Sequence, residues 1–218
     1  MAHQPKILVA GYGPWAKAEI NPAAQAVEEL HKRDWHDCDL SLHVIPVCST
    51  RLADNVNALL DEHRPDAWLG LGVSDAGIIE AEMVGINWRH FSVPDVAGES
   101  YERTPILTAG PDAYNATLPN KEMVGSINKA GIPAALSFHA GTHLCNQMLY
   151  TTAHLVRQRG MSTLHGFIHV PQTPANIAMT KRPEAKVPSM SLAMITEAIA
   201  ICIDTLTHQL TTQQTLSA

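Results

Sequence analysis

The sequence has no excess of basic residues. Its 218 residues include 15 Lys and Arg against 21 Asp and Glu, which gives a formal net charge of −6 at pH 7. A chain of this charge lacks the basic field that attracts nucleic acid or an anionic lipid surface. We therefore expect neither nucleic acid nor a membrane among its partners.

Long apolar runs and paired cysteines are also missing. No run approaches the roughly 18 apolar residues of a membrane-spanning helix, and the run over 7–10 is too short for the core of a signal peptide. The four cysteines, Cys38, Cys48, Cys145 and Cys202, include no C-x-x-C pair. Few cysteines without such a pair are typical of a reducing compartment, so we expect a cytoplasmic protein.

The composition that is present is that of a globular protein. Hydrophobic residues make up 45% of the chain and charged residues 17%, which are ordinary values for a folded domain. The sequence shows no internal repeat, low-complexity tract or linker. We expect residues 1–218 to form a single α/β domain.

Short apolar runs alternate with helical patterns along the chain. The apolar runs predict buried strands over 7–10, 42–47, 67–71, 132–138 and 166–170, and the helical patterns predict helices over 22–32, 52–63, 145–159 and about 191–210. Because the strands are continuously apolar, we expect a parallel sheet covered by helices on both faces. The proline-rich and glycine-rich segment over 88–121 predicts loops or a short hairpin.

Three side chains have local surroundings that favour catalysis. Cys145 opens a predicted helix, whose unpaired N–H groups and positive dipole end favour a thiolate. His169 ends a predicted strand, at the sheet edge where ligands bind in open α/β folds. Glu82 shares a predicted apolar strand face with Val84 and Ile86, so it needs a partner such as a catalytic histidine. A core cysteine, a backbone-bonded histidine and a solvent-facing glutamate are the structural alternatives.

Five motifs follow one another along the chain in an order that resembles one family. They are Ile-Leu-Val-Ala-Gly-Tyr-Gly-Pro-Trp at 7–15, Asn-Pro at 21–22, Glu-Met-Val-Gly-Ile-Asn at 82–87 ahead of Val-Pro-Asp at 93–95, Ala-Gly-Thr-His-Leu-Cys-Asn at 140–146 and Gly-Phe-Ile-His-Val-Pro at 166–171. From residue 7 to about 207, the chain resembles the pyroglutamyl peptidase I family, also called pyrrolidone-carboxylate peptidase. The last two motifs are the most specific.

The resemblance implies a cytoplasmic cysteine exopeptidase that removes an N-terminal pyroglutamyl (5-oxoproline) residue through a thioester intermediate, with no metal or organic cofactor. It implies a three-layer α/β/α sandwich with a mixed, mostly parallel central sheet, and a homodimer or homotetramer. By match of motif, Cys145 would be the nucleophile, His169 the general base and then acid, and Glu82 the group that orients the imidazole.

The resemblance also implies a pocket for the lactam ring of the substrate. The matching substrate-binding positions are Tyr12, Trp15, Asn21, Val73 and His143. Two stretches depart from the family pattern. A glycine-rich Gly-Gly-Arg stretch is replaced by a shorter segment over 73–77, and Ser92 stands where the family has an arginine. The nearby Arg89 and His90 are therefore candidates to stabilise the oxyanion.

Other functions stay open at the level of the sequence. One alternative is a related cysteine hydrolase with another acyl specificity, and another is a non-catalytic protein that binds a small ligand on the same fold. A metal-dependent hydrolase is the third, based on the spaced histidine pairs 139/143 and 165/169 with Glu80 or Asp95 as oxygen donors. The metal signal is weak because residues i and i+4 of a strand lie too far apart for one ion.

Overall fold

The structure is a computed structural model that describes residues 4–16, 18–180 and 186–217. Its strands, in chain order, are β1 (Lys6–Tyr12), β2 (Asp39–Ile45), β3 (Ala67–Val73), β4 (Ile79–Glu82), β5 (Val84–Ile86), β6 (Arg89–Phe91), β7 (Tyr101–Thr104), β8 (Ala113–Asn115), β9 (Ala134–Ser137) and β10 (Leu164–Val170). Its helices are α1 (Pro22–Leu30), α2 (Leu52–His63), α3 (Asn120–Lys129), α4 (Leu144–Gln158), α5 (Pro174–Met179) and α6 (Leu192–Ser217).

Six of these strands form the central sheet, in the order β2-β1-β3-β10-β4-β9. The first four run parallel to one another, whereas β4 runs antiparallel to β10 and β9 runs parallel to β4. Parallel neighbours need a crossover connection, and α1 and α2 supply it between β1, β2 and β3. The prediction of a mixed, mostly parallel sheet is confirmed.

Helices cover both faces of the sheet. On one face, Leu69 of β3 and Ile168 of β10 pack in a core with α1, α3 and α6. On the other face, their chain neighbours Trp68 and Phe167 pack in a core with α2 and α4. Successive residues of a strand point to opposite faces, so strands buried on both faces are apolar at every position. None of the helices among the described residues combines the length and the hydropathy that a membrane crossing requires.

The segment that follows Glu82 differs from its prediction. Val84 and Ile86 do not share a strand face with Glu82, because β4 ends at Glu82 and β5 pairs with β8 in a separate two-stranded sheet. Met83 lies between the two strands, where its N–H donates to Ser137 O and its carbonyl accepts from Ala116 N. The predicted single strand is therefore wrong, although Glu82 itself is buried.

Other boundaries differ less. The hairpin predicted within 88–121 is present as β6 and β7, whereas the pairing of β8 with β5 was not predicted. The last helix ends at Ser217, beyond the predicted end at 210. The short helix α5 was not predicted, although Thr173 caps its N-terminus and Pro174 occupies its first turn, which is a recognised start signal.

The buried stripe of α6 allows a test of this packing. Ile199 is fully buried against the sheet, so Ile199→Ala is expected to lower the free energy of unfolding by about 2–5 kcal/mol. Thr212→Ala, at an exposed position of the same helix, should change it by less than about 0.5 kcal/mol. Urea unfolding followed by circular dichroism measures both, and equal effects would contradict the packing of α6.

Candidate active site

His169 and Glu82 form a buried pair where β10 meets β4. His169 Nδ1 lies 2.6 Å from Glu82 Oε1, and the two residues are 7% and 1% exposed. Antiparallel pairing places Glu82 opposite Phe167, two residues before His169. A carboxylate only accepts hydrogen bonds, so Nδ1 carries the proton and Nε2 remains available to another partner.

Cys145 lies in the first turn of α4, over the end of β3. A Cβ atom added to Gly72 would lie 2.7 Å from Cys145 Sγ and 2.7 Å from Phe167 Cζ, which shows how closely the sulfur approaches the sheet beside β10. Cys145 is partly exposed, whereas Cys38, Cys48 and Cys202 are buried. No side chain of the described residues caps the start of α4 at His143, so no side-chain cap occupies the first N–H groups of the helix that carries Cys145.

The charge of His169 depends on both neighbours. Burial lowers the pKa of His169, but the charge and hydrogen bond of Cys145, together with the hydrogen bond and charge of Glu82, outweigh it and raise the pKa to about 10. Burial and the charge of Cys145 raise the pKa of Tyr12 well above its usual value. Tyr12 therefore stays neutral, and its hydroxyl donates to Leu144 O at 2.8 Å. This hydrogen bond fixes the start of α4 against β1.

A cavity of about 670 Å³ opens in front of Cys145. The five substrate-binding positions named from the sequence all line it: Tyr12, Trp15, Asn21, Val73 and His143. The side-chain amide of Asn21 is hydrogen-bonded to the backbone, since its Oδ1 accepts from Ala23 N and its Nδ2 donates to Gly13 O. Asn21 thus caps α1 and holds the loop that forms this wall.

His143 is a wall of the cavity. Its ring centroid lies 4.0 Å from that of Phe91 and 4.6 Å from that of Trp15, and its Nε2 lies 3.3 Å from Val93 O. Burial lowers the pKa of His143, and the Val93 carbonyl and the Asp95 charge offset this only in part. The imidazole is therefore neutral at pH 7 and presents a flat ring.

Arg89 and His90 do not line the cavity. The Arg89 guanidinium donates to Ser49 Oγ at 3.3 Å and to Pro105 O at 3.1 Å, and it lies over the ring of Tyr101 at 3.9 Å. The side chain of His90 is exposed, while its backbone N–H donates to Thr142 O. The structure does not bring either residue to the cavity that holds Cys145.

Neither spaced histidine pair brings both of its rings into a cluster of metal ligands among the described residues. His139 Nδ1 accepts from Gly141 N, and His165 contacts Thr117 at the other end of β10 from His169. Asp95 accepts from the N–H groups of Ser49, Ala97 and Glu99. Glu80, Glu82 and His169 do bring ligand atoms within 4.8 Å of one another; there His169 Nδ1 donates to Glu82 Oε1, and Glu80 accepts from Ser74 Oγ.

Sequence reasoning placed Ser74 and Asp75 in the altered segment over 73–77, but it missed three polar residues of the cavity, Gln172, Asn176 and Thr180. Ser74 and Asp75 follow β3, and Gln172 and Asn176 follow β10. Their positions directly after two predicted strands could have indicated them, because ligands of an open α/β sheet usually bind at the carboxyl ends of its strands. The start signal at Thr173 would have placed Asn176 on a helix there.

Comparison with known proteins identifies the family. Residues 5–209 match the family model described as pyroglutamyl peptidase. The chain belongs to this family. It is 31% identical over 200 residues to the pyrrolidone-carboxylate peptidase of Coprothermobacter proteolyticus, covering 91% of this chain and 95% of the relative. It is 35% identical to that of Thermococcus onnurineus, covering 92% and 98%.

The fold of this chain is also similar to that of a solved pyrrolidone carboxyl peptidase. The crystal structure of pyrrolidone carboxyl peptidase from Pyrococcus furiosus superposes with a TM-score of 0.88 at 31% identity, covering 94% of this chain and 99% of the other. The family resemblance seen in the motifs and the expected α/β fold are thus confirmed.

The raised pKa of His169 predicts how its charge responds to pH. Its folded value of about 10 lies above the ordinary value of 6.5, so the stabilisation from the charged imidazole is complete below about pH 6.5 and is lost as the pH rises towards 10. An NMR titration of ¹³C-labelled histidine should show His169 protonated at pH 8, and Cys145→Ala should lower its pKa. An imidazole that titrates near 6.5 in both proteins would contradict the assigned pair.

The contact between Gly72 and the sulfur predicts a selective effect. Gly72→Ala places a methyl group against Cys145 Sγ and Phe167, whereas Gly70→Ala places one against Phe167 and Met148. Both variants should lose about 1–3 kcal/mol of stability through overpacking, but only Gly72→Ala should slow alkylation of Cys145 by iodoacetamide. Equal alkylation rates in the two variants would show that the sulfur does not lie over Gly72.

Proposed function

We propose that this chain hydrolyses the amide bond after an N-terminal pyroglutamyl residue, with Cys145 as nucleophile. The observation that carries the proposal is the buried Glu82–His169 pair, whose imidazole also interacts with a partly exposed cysteine at a cavity. The aromatic rings of Tyr12, Trp15 and His143 line this cavity, which suits a flat, neutral lactam. The names of the relatives support the same acyl group.

The proposed reaction begins with the charged pair. The thiolate of Cys145 attacks the exocyclic carbonyl carbon of the pyroglutamyl residue, and the oxygen of that carbonyl becomes an oxyanion. When the C–N bond breaks, the His169 imidazolium gives its Nε2 proton to the departing amine. The pyroglutamyl group remains bound to Cys145 as a thioester. His169 then takes a proton from water, the hydroxide adds to the thioester, and the C–S bond breaks to release the acid and restore the pair.

Glu82 orients the imidazole in this mechanism. Its hydrogen bond to Nδ1 leaves Nε2 as the atom that exchanges protons with sulfur, amine and water. The same carboxylate stabilises the imidazolium. A protein that only bound a small ligand would have no use for this buried pair beside an accessible thiol, because burying such charges is costly.

Backbone N–H groups at the start of α4 hold the oxyanion in this proposal. The described residues provide no side-chain cap there, and the helix dipole adds positive potential. Arg89 and His90 stay predictions as oxyanion groups, and the other contacts of Arg89 disfavour that role. Loss of one backbone donor of this kind typically costs about 10²–10³ in turnover.

The domain organisation, compartment and assembly of the chain follow from its sequence and its family. We infer that the chain folds as one domain, acts in the cytoplasm on N-terminally pyroglutamylated peptides and assembles as a homodimer or homotetramer. The absence of a C-x-x-C pair and the family resemblance support these inferences. Sedimentation equilibrium of the full chain measures the subunit number directly.

Release of a reporter amine tests the proposed activity. The wild type is expected to cleave a pyroglutamyl-amide in preference to prolyl- and alanyl-amides, and Cys145→Ala should abolish turnover. Glu82→Gln should lower kcat by about 10²–10⁴ with little change in KM, because it removes the orienting carboxylate. Cys48→Ala, at a buried cysteine outside the cavity, is the matched control and should stay active.

Two results would contradict this function. Cleavage of prolyl- or alanyl-amides at the rate of the pyroglutamyl-amide would assign another acyl specificity to the site. Turnover that survives Cys145→Ala would exclude the thioester.

A further inference from the structure

Asp75, Gln172 and Asn176 form a chain of hydrogen bonds along one wall of the cavity. Gln172 Nε2 donates to Asp75 Oδ1 at 3.1 Å, and Asn176 Nδ2 donates to Gln172 Oε1 at 2.5 Å. All three residues line the cavity that contains Cys145. Gln172 and Asn176 are 8% and 5% exposed, so this wall is a built part of the fold.

The carboxylate of Asp75 sets the direction in which the amides of Gln172 and Asn176 donate their hydrogen bonds. Asp75 can only accept a hydrogen bond, so the amide of Gln172 must turn its NH₂ group towards Asp75. The oxygen of Gln172 then faces Asn176, which must turn its own NH₂ group towards that oxygen. Reversing either amide would place two acceptors or two donors against each other, so the network decides the orientation of both amides.

The series of hydrogen bonds from Asp75 through Gln172 ends at Asn176 Oδ1, an acceptor for which the described residues provide no donor. Asn176 Oδ1 is buried and receives no hydrogen bond from the part of the chain that the structure describes. Burying such an atom unpaired is unfavourable. Other polar groups of the wall are engaged, since the Ser74 hydroxyl donates to Glu80 and the Asn21 amide caps α1. The wall of the cavity therefore contains a covered, unsatisfied acceptor, which a ligand with an N–H donor would satisfy on reaching it.

We infer that Asn176 determines the acyl specificity of the proposed reaction by accepting the ring N–H of the lactam. The inference rests on the proposed function, because it assigns to Asn176 one of the two polar groups of a pyroglutamyl ring. Asp75 and Gln172 are positioning residues, which hold Asn176 Oδ1 as an acceptor. A ring without an N–H group would leave this oxygen unpaired and would bind less well.

A pair of substrates isolates this hydrogen bond. The pyroglutamyl reporter amide is compared with its carbocyclic analogue, the 3-oxocyclopentane-carboxamide, in which a CH₂ group replaces the ring N–H. The wild type should favour the lactam in kcat/KM by about 5- to 150-fold, the range expected for one buried hydrogen bond. Asn176→Ala should bring the ratio near one by slowing cleavage of the lactam and leaving that of the analogue.

Two further variants test the direction of the chain. Asp75→Asn allows both amides to reverse, so it should lower the preference for the lactam although Asn176 is intact. Asn115→Ala, at an exposed asparagine of β8, is the matched control and should keep the wild-type ratio. Thermal unfolding and the rate of Cys145 alkylation confirm that each variant is folded.

Binding separates this inference from the proposed function. Calorimetry measures the affinity of the two free ring acids for Cys145→Ala and for Cys145→Ala with Asn176→Ala. A preference for the lactam acid that Asn176→Ala removes supports the assignment even if the wild type cleaves neither substrate, which would overturn the proposed function alone. If Asn176→Ala lowered kcat/KM equally for both amides, or affinity equally for both acids, the role of Asn176 in specificity would be overturned.

Discussion

Glu82 is a carboxylate placed where water does not reach, and the organisation of the site follows from that constraint. Such a group needs a donor, and His169 Nδ1 supplies one at 2.6 Å. The contact exists because β4 enters the sheet antiparallel to β10, which brings two residues 87 positions apart onto neighbouring strands. The same face of the sheet carries α4, so the imidazole also meets the sulfur of Cys145.

The start of α4 is held from several sides. Tyr12 ties Leu144 to β1, and His143 packs between Phe91 and Trp15. Thr142 is bonded to His90 through its hydroxyl and its carbonyl. These contacts place the first N–H groups of the helix and the sulfur relative to the sheet, and such preorganised donors are the main source of oxyanion stabilisation.

The cavity combines flat rings with a directed polar wall. The neutral ring of His143 is one of these flat walls, since burial keeps it uncharged. On the polar wall, the negative charge of Asp75 determines the orientation of the Gln172 and Asn176 amides. Specificity in this arrangement does not come from a charged contact with the substrate. It comes from the direction of neutral hydrogen bonds, which a charge at the far end maintains.

The sequence by itself determined the layered α/β class, five of the six strands of the central sheet and four of the six helices that the structure describes, and it singled out Glu82, Cys145 and His169 as candidate catalytic residues. Runs that are apolar at every position report burial on both faces, and motifs report local chemistry. The tertiary structure showed the contact between Glu82 and His169 that the motifs implied, and it alone decided that β5 leaves the sheet and that Arg89 has other partners. It also decided that Gln172 and Asn176 line the cavity. Each of these depends on contacts between distant segments, which are selected by packing of the whole chain, and the local pattern at a residue does not encode its distant neighbours.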